Sequence, residues 1–158
     1  MQQFLLCFSV FGLIFSNSEA QNAIPNPGFE NWTNQGQYED PDGWGTLNSQ
    51  TASIGAITVV KATGSDAHSG SNAIKIITKF IGFPFNITAP GIAGANGYFD
   101  QGCECFVGGV PFDLRPDSIA GWYKYSPVST DTASVEITLS KWNTTTLQRD
   151  VVGYAKFT

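Results

Sequence analysis

Short runs of β-branched and aromatic residues, each ended by Gly, Pro, Asn or Asp, recur along this chain and constrain its fold most strongly. No stretch after the first 20 residues sustains the i, i+3, i+4, i+7 apolar spacing of an amphipathic helix. Such runs are typical of strands joined by turns. The predicted strands cover residues 54–62, 72–80, 106–112, 118–126, 133–142 and 151–157. Their spacing predicts an all-β fold, an antiparallel β-sandwich.

Two polar or Gly- and Pro-rich stretches, 33–43 and 83–97, are predicted to be loops. The last residues, 151–158, have the pattern of a strand interior, with no turn or polar tail after them. We therefore expect the final strands of the sandwich, and further domains, to lie beyond residue 158.

The beginning of the chain has the pattern of a secretory signal. Residues 4–15 are almost wholly apolar, a run too short to span a bilayer, and Ser18-Glu19-Ala20 supplies small residues for cleavage before Gln21. No Lys or Arg precedes the run, which leaves an uncleaved anchor as the alternative. We expect a signal peptide over 1–20, a domain over 21–158 without a membrane span, and a location outside the cell or at its surface.

Charge gives no reason to expect nucleic acid or anionic lipid as a partner. The formal net charge of the whole chain is −5, and loss of Glu19 would leave −4. A binding surface for a polyanion normally requires an excess of Lys and Arg, and this chain has 8 of them against 13 acidic residues.

A hairpin with a turn over 127–132 would place two tryptophans on one sheet face. Its apolar face would hold Ile119, Gly121, Tyr123, Tyr125, Ala133, Val135, Ile137 and Leu139. Its opposite face would hold Trp122, Lys124, Glu136 and Trp142 among small polar residues, and flat rings flanked by hydrogen-bonding groups suit a sugar. Trp44 is a third candidate aromatic. The structural alternative is that these tryptophans pack under a loop or against a neighbouring domain.

Several motifs of the first half carry a family resemblance. They are Asn26-Pro27-Gly28-Phe29-Glu30-Asn31-Trp32, then Pro41-Asp42-Gly43-Trp44, then His68-Ser69-Gly70-Ser71-Asn72-Ala73-Ile74-Lys75-Ile76. This order resembles the opening of the galactose-binding-like jelly rolls, a group with many carbohydrate-binding modules. The resemblance implies a jelly roll with a glycan ligand.

A second set of motifs lies downstream. It comprises Gly108-Gly109-Val110-Pro111-Phe112, Arg115-Pro116, Gly121-Trp122-Tyr123-Lys124-Tyr125, Asp131-Thr132-Ala133 and Leu139-Ser140-Lys141-Trp142. This arrangement resembles a family of secreted Bacteroidetes proteins named for carbohydrate metabolism. The name of that family implies a carbohydrate connection without specifying a ligand.

The jelly-roll resemblance also implies a structural Ca²⁺ ion at Glu30. The remaining oxygens would come from the Gly28 carbonyl and from the loop that contains Asp66 and Ser69. An additional Asp of the family pattern would fall on a late strand beyond this sequence. The alternative is that Glu30 is an ordinary carboxylate at a strand end.

Catalysis is not expected. His68 is the only histidine, which argues against nucleophilic triads and histidine metal sites, and no strand pairs its carboxylates as jelly-roll glucanases do. Glycoside hydrolysis by carboxylates such as Glu30, Asp42, Asp100 and Glu136 is the minor alternative.

Cys103 and Cys105 are the only cysteines after the predicted signal peptide. Residues i and i+2 of a strand lie near the limit of disulfide reach, so we predict a local disulfide within a bulge or tight turn after Gly102. Free or intermolecularly paired thiols are the alternatives.

Two functions follow from these patterns: a non-catalytic carbohydrate-binding module, and a structural or adhesive surface module without a glycan ligand. Exposure of Trp122, Trp142 and Trp44 would favour the first, and their burial the second.

Overall fold

The computed structural model describes residues 24–113, 115–116 and 118–158, so the predicted signal peptide lies outside the described residues. The prediction of an all-β protein is confirmed, because strands dominate and helix is confined to single turns. These turns are α1 (Asn48–Thr51) and two 3₁₀ turns, Ala52–Ile54 and Gly64–Asp66. Among the described residues no helix has the length and apolar character to cross a membrane.

The strands form six antiparallel two-stranded pairs within the described chain. The strands are β1 (Trp32–Asn34), β2 (Glu39–Pro41), β3 (Trp44–Thr46), β4 (Val59–Thr63), β5 (Asn72–Ile76), β6 (Lys79–Ile81), β7 (Ile87–Ala89), β8 (Ala93–Ala95), β9 (Gly97–Asp100), β10 (Cys105–Gly108), β11 (Val135–Asn143) and β12 (Gln148–Phe157). The pairs are β1 with β2, β3 with β8, β4 with β5, β6 with β7, β9 with β10, and β11 with β12. Because each pair is small, the sandwich itself stays a prediction.

The chain divides into two compact units, with the boundary between Arg115 and Pro116. Unit 1 ends at Arg115 and contains β1 to β10, whereas unit 2 begins at Pro116 and contains the β11–β12 hairpin. The sequence offers only the Arg115-Pro116 dipeptide as a sign of this boundary, and the single domain over 21–158 stays a prediction.

The buried residues of the described chain all lie in unit 1, and Asn48 at the start of α1 is hydrogen-bonded to three of them, Thr46, Thr58 and Val59. The Asn48 amide nitrogen donates to the Val59 carbonyl at 2.7 Å and to the Asp40 carboxylate at 3.0 Å. Its amide oxygen accepts from the Thr58 and Val59 backbone N–H groups at 2.9 and 3.1 Å. A fully buried amide must satisfy its polar atoms in this way, so Asn48 joins α1, β2 and β4 through one side chain.

Both predicted loops contain strands. The first includes β1 and β2, which pair from Trp32 opposite Pro41 to Asn34 opposite Glu39, while Gly43 does form a turn at a φ of +75°. The second includes β7 and β8. Glycine and alanine have low strand propensity, but the ring of Phe106 lies where side chains at Gly94 and Gly97 would project. Close packing of this ring on the backbone explains the glycines at positions 94 and 97.

The predicted strand over 118–126 is wrong, since its residues form no strand. The predicted hairpin across 127–132 is therefore also wrong. The partner of β11 is β12, with Val135 opposite Phe157 and Asn143 opposite Gln148. A β-rich composition shows that a segment can form a strand but does not select its partner.

Candidate functional site: the polar face of the β11–β12 hairpin

The two faces of the β11–β12 hairpin differ in chemistry. Side chains alternate along β11, so Glu136, Thr138, Ser140 and Trp142 share one face, while Val135, Ile137 and Leu139 share the other. Ile137 and Leu139 are half-buried, whereas all four residues of the first face are exposed. The burial of Ile137 and Leu139 agrees with the predicted apolar face of β11, but Val135 of the same face is 60% exposed and the predicted partner of the strand is wrong.

Trp142 lies near the turn of the hairpin with 54% of its surface exposed. It lines a shallow depression of about 280 Å³ with Lys141, Asn143, Thr144 and Asp150. The Asn143 amide donates to the Asp150 carboxylate at 2.8 Å, and its oxygen accepts from the backbone N–H groups of Thr145 and Thr146. Asn143 thereby fixes the turn that places hydroxyl, amide and charged groups beside the exposed indole.

Glu136 lies on the same face but is already engaged. Its carboxylate accepts a hydrogen bond from the Lys156 ammonium at 2.7 Å, directly across the hairpin. The hydrogen bond from Lys156 and the attraction of its charge hold the pKa of Glu136 below its ordinary value, and the same contact raises the pKa of Lys156. Glu136 is therefore a charged group at the edge of this face, and its carboxylate already accepts a hydrogen bond from Lys156.

Trp122 and Lys124 lie in the irregular segment before β11. Trp122 is 78% exposed, and neither residue belongs to the ladder in which the sequence had placed it. The neighbouring tyrosines hold this segment to unit 2, because the Tyr123 ring meets that of Phe157 at a centroid distance of 5.3 Å and the Tyr125 hydroxyl donates to the Asp131 carbonyl at 2.6 Å. Both candidate residues therefore belong to unit 2, outside its strands.

Trp44 occupies a different environment in unit 1. Its half-buried ring packs against Phe29 with centroids 4.9 Å apart, and its indole N–H donates to the Pro25 carbonyl at 2.8 Å. One side of the residue lines a depression of about 380 Å³ together with Thr33, Gln35, Asp40, Asp42 and other residues of β2 and its following turn. Trp44 was a candidate ligand contact from its sequence. In the structure its contacts with Pro25 and Phe29 hold the N-terminal segment in place.

Glu30 joins the two opening motifs of the sequence. Its carboxylate accepts from the backbone N–H groups of Ser71 at 3.0 and 3.2 Å and of Asn72 at 3.3 Å, and from the Asn72 amide at 3.3 Å. Gly70 has a φ of +71°, and a β-carbon at this position would overlap the Glu30 carboxylate. The glycine of the His-Ser-Gly motif is thus required both by its left-handed backbone and by the carboxylate that rests on it.

These contacts bear on the predicted calcium site. A carboxylate offers about four lone-pair positions, and four hydrogen-bonding contacts already reach the two oxygens of Glu30. An ion held by Glu30, Gly28, Asp66 and Ser69 would therefore compete with Ser71 and Asn72 for these oxygens. Among the described residues, no group of three or more His, Cys, Asp or Glu side chains is placed to hold a metal.

The two cysteines form a disulfide at a tight turn between β9 and β10. The Cα atoms of Cys103 and Cys105 are 5.1 Å apart, and Glu104 between them has a φ of +51°. The Asp100 side chain accepts from the Gly102 N–H at 2.7 Å and organises the start of the turn. The prediction of a local disulfide between Cys103 and Cys105 is confirmed.

Comparison with known proteins returned no matching family model, no matching curated protein and no matching solved structure. The resemblance to galactose-binding-like jelly rolls and to the Bacteroidetes family therefore remains a prediction from motifs, and the case for function depends on the geometry of the chain itself.

Proposed function

We propose that this chain is a secreted, non-catalytic carbohydrate-binding module whose ligand rests on the exposed ring of Trp142 at the turn end of the β11–β12 hairpin. The exposed indole of Trp142 beside Asn143, Thr144, Lys141 and Asp150 carries the proposal. A sugar ring presents an apolar C–H face and a rim of hydroxyls, which an exposed indole flanked by amide, hydroxyl and charged groups can contact together.

Trp122 and Lys124 are proposed as a second contact, because Trp122 is 78% exposed in the same unit, more than Trp142 at 54%. Glu136 contributes at the rim through its ion pair with Lys156. Trp44 is a weaker candidate than its sequence motif implied, since its indole N–H is already donated to Pro25 and its ring packs on Phe29.

The second candidate function is a structural or adhesive surface module. The contacts of Glu30 and of Trp44 favour it, because both motif residues fix the backbone of unit 1 rather than present a ligand surface. In this alternative the exposed side chains of unit 2 would contact a neighbouring domain instead of a sugar.

Retention on insoluble polysaccharides tests the proposal. The protein would be incubated with cellulose, xylan, mannan and pectin as wild type, as Trp142→Ala and as Val152→Ala, a control that removes another exposed side chain of the same hairpin. We expect at least one matrix to retain the wild type and the control, and Trp142→Ala to bind at least about tenfold more weakly, as for an aromatic anchor. A folded wild type that none of the matrices retains would favour the structural module, and release of reducing sugar would contradict the non-catalytic assignment.

A structural Ca²⁺ ion at Glu30 remains part of the proposal, and a chelator tests it separately. Bound calcium stabilises the folded state, so EDTA would lower the melting temperature, and added Ca²⁺ would restore it. If EDTA did not change the melting temperature, Glu30 would act only by accepting the hydrogen bonds from Ser71 and Asn72.

A further inference from the structure

The β6–β7 hairpin of unit 1 ends in an unusually apolar tip, residues 80–87. Phe83 is 93% exposed and Phe80 is 70% exposed, and Phe85 and Ile87 also face solvent. Exposed aromatic groups so close together are costly in water and mark interaction surfaces. None of the sequence motifs accounts for this tip.

The tip is a defined structure. The residues Ile81 and Ile87 pair across the hairpin, and the backbone N–H groups of Phe85 and Asn86 both donate to the Gly82 carbonyl at 3.0 Å. Asn86 has a φ of +50°, which asparagine tolerates better than most residues. The closed turn therefore presents Phe83 at its apex.

The charge around the tip differs from that of the chain. Residues 67–99 contain Lys75 and Lys79 but no Asp or Glu, although the whole chain has a formal charge of −5. The segment that carries the exposed phenylalanines therefore has a positive formal charge of its own, which an anionic surface would attract rather than repel.

We infer that the phenylalanine tip inserts into the interface of a bilayer that contains anionic lipids. Strands rise about 3.3 Å per residue, so Lys79 at the base of β6, four residues before Phe83, lies up to about 13 Å from the apex. Interfacial apolar groups enter a bilayer by about 5–10 Å, which places the Lys79 ammonium at the depth of the phosphate groups. A protruding tip suits a fluid lipid phase, which adapts to its shape, whereas a protein partner would need a matching groove.

Vesicle co-sedimentation tests this inference independently of glycan binding. The full protein, produced in a host without N-glycosylation because Asn86-Ile87-Thr88 is an acceptor triplet, would be mixed with phosphatidylcholine vesicles with or without phosphatidylglycerol. The variants would be Phe83→Ala, Lys79→Gln and the control Tyr98→Ala, which removes an exposed aromatic ring from β9. Circular dichroism would verify that each variant folds.

We expect wild type and Tyr98→Ala to sediment with phosphatidylglycerol vesicles, and Phe83→Ala to partition about tenfold less. Lys79→Gln should weaken binding by several-fold, and only to the anionic vesicles. Absence of wild-type binding, or equal binding by Phe83→Ala and wild type, would overturn the inference. Retention on a polysaccharide in the same preparation would show that the glycan proposal survives such a failure.

Discussion

Unit 1 and unit 2 are both β-rich, but they use their tryptophans in opposite ways. Unit 1 contains the buried residues of the described chain, and both of its tryptophans donate their indole N–H groups to backbone carbonyls, Trp32 to Phe29 and Trp44 to Pro25. Unit 2 leaves Trp122 and Trp142 exposed. The same residue type thus secures the fold in one unit and is available at the surface in the other.

The largest effect that this comparison predicts is the loss of the buried amide in unit 1. Asn48→Ala would leave the Thr58 and Val59 N–H groups and the Val59 carbonyl without their present partner. We expect the free energy of unfolding to fall by about 3–5 kcal/mol, measured by urea denaturation. Ser49→Ala, the exposed neighbouring position, is the control, and similar behaviour of the two variants would refute the central role of Asn48.

The next effect concerns the contact between Glu30 and Gly70. Gly70→Ala introduces both a strained left-handed alanine and an overlap with the Glu30 carboxylate. We therefore expect the free energy of unfolding to fall by about 2–4 kcal/mol. Gly64→Ala is the matched control, since Gly64 has a φ of +64° with open space around its missing β-carbon. Backbone strain alone should cost about 1 kcal/mol there. If thermal melts showed the same loss of stability for Gly70→Ala and Gly64→Ala, the Glu30 carboxylate would not restrict the side chain at position 70.

One substitution made in both units gives a direct comparison of their packing. Val59→Ala removes methyl groups from a fully buried side chain of β4, at a cost of about 2 kcal/mol. Val152→Ala acts on a side chain of β12 that is mostly exposed, and should change stability by less than about 0.5 kcal/mol. A large loss from Val152→Ala in the same denaturation assay would show that unit 2 buries this side chain in solution.

The smallest predicted effect is the pH response of the ion pair in unit 2. Because the pKa of Glu136 is lowered by Lys156, the pair stabilises the hairpin above the ordinary glutamate pKa, and this contribution is lost as the pH falls through the lowered value. An NMR titration of the Glu136 carboxyl should give a pKa below 4.5, returning toward that value in Lys156→Gln. An unchanged pKa in the variant would exclude the ion pair as the cause.

Sequence patterns predicted local features of this molecule better than its long-range pairing. The turn at Gly43, the faces of β11 and the local bridge between Cys103 and Cys105 all depend on neighbouring residues, and all are present. The partner of β11 depends on competition between distant segments, which composition does not rank. Residues 93–95 form a strand by pairing with β3, and Phe106 packs on Gly94; both partners are distant in sequence and leave no local signal.

In the candidate site, too, local features could be predicted from the sequence and long-range contacts could not. Trp142 could be found from alternation along its strand, whereas the roles of Asn143 and Asp150 depend on the β11–β12 turn, which the sequence analysis did not identify. Glu30 and Gly70 were singled out as motif residues, but their direct contact brings together positions 40 residues apart and required the structure. Spacing can thus identify the residues of a site without giving their partners.

The most direct test of the assignment of binding to unit 2 is an NMR titration of the indole N–H signals of the four tryptophans. The ¹⁵N-labelled protein would be titrated with cello-, xylo- and manno-oligosaccharides. We predict that one of these ligands shifts the Trp142 signal to saturation, with a smaller shift for Trp122, while the signals of Trp32 and Trp44 stay in place. Saturating shifts confined to Trp32 and Trp44, or no shift with any ligand, would contradict glycan binding on the β11–β12 hairpin.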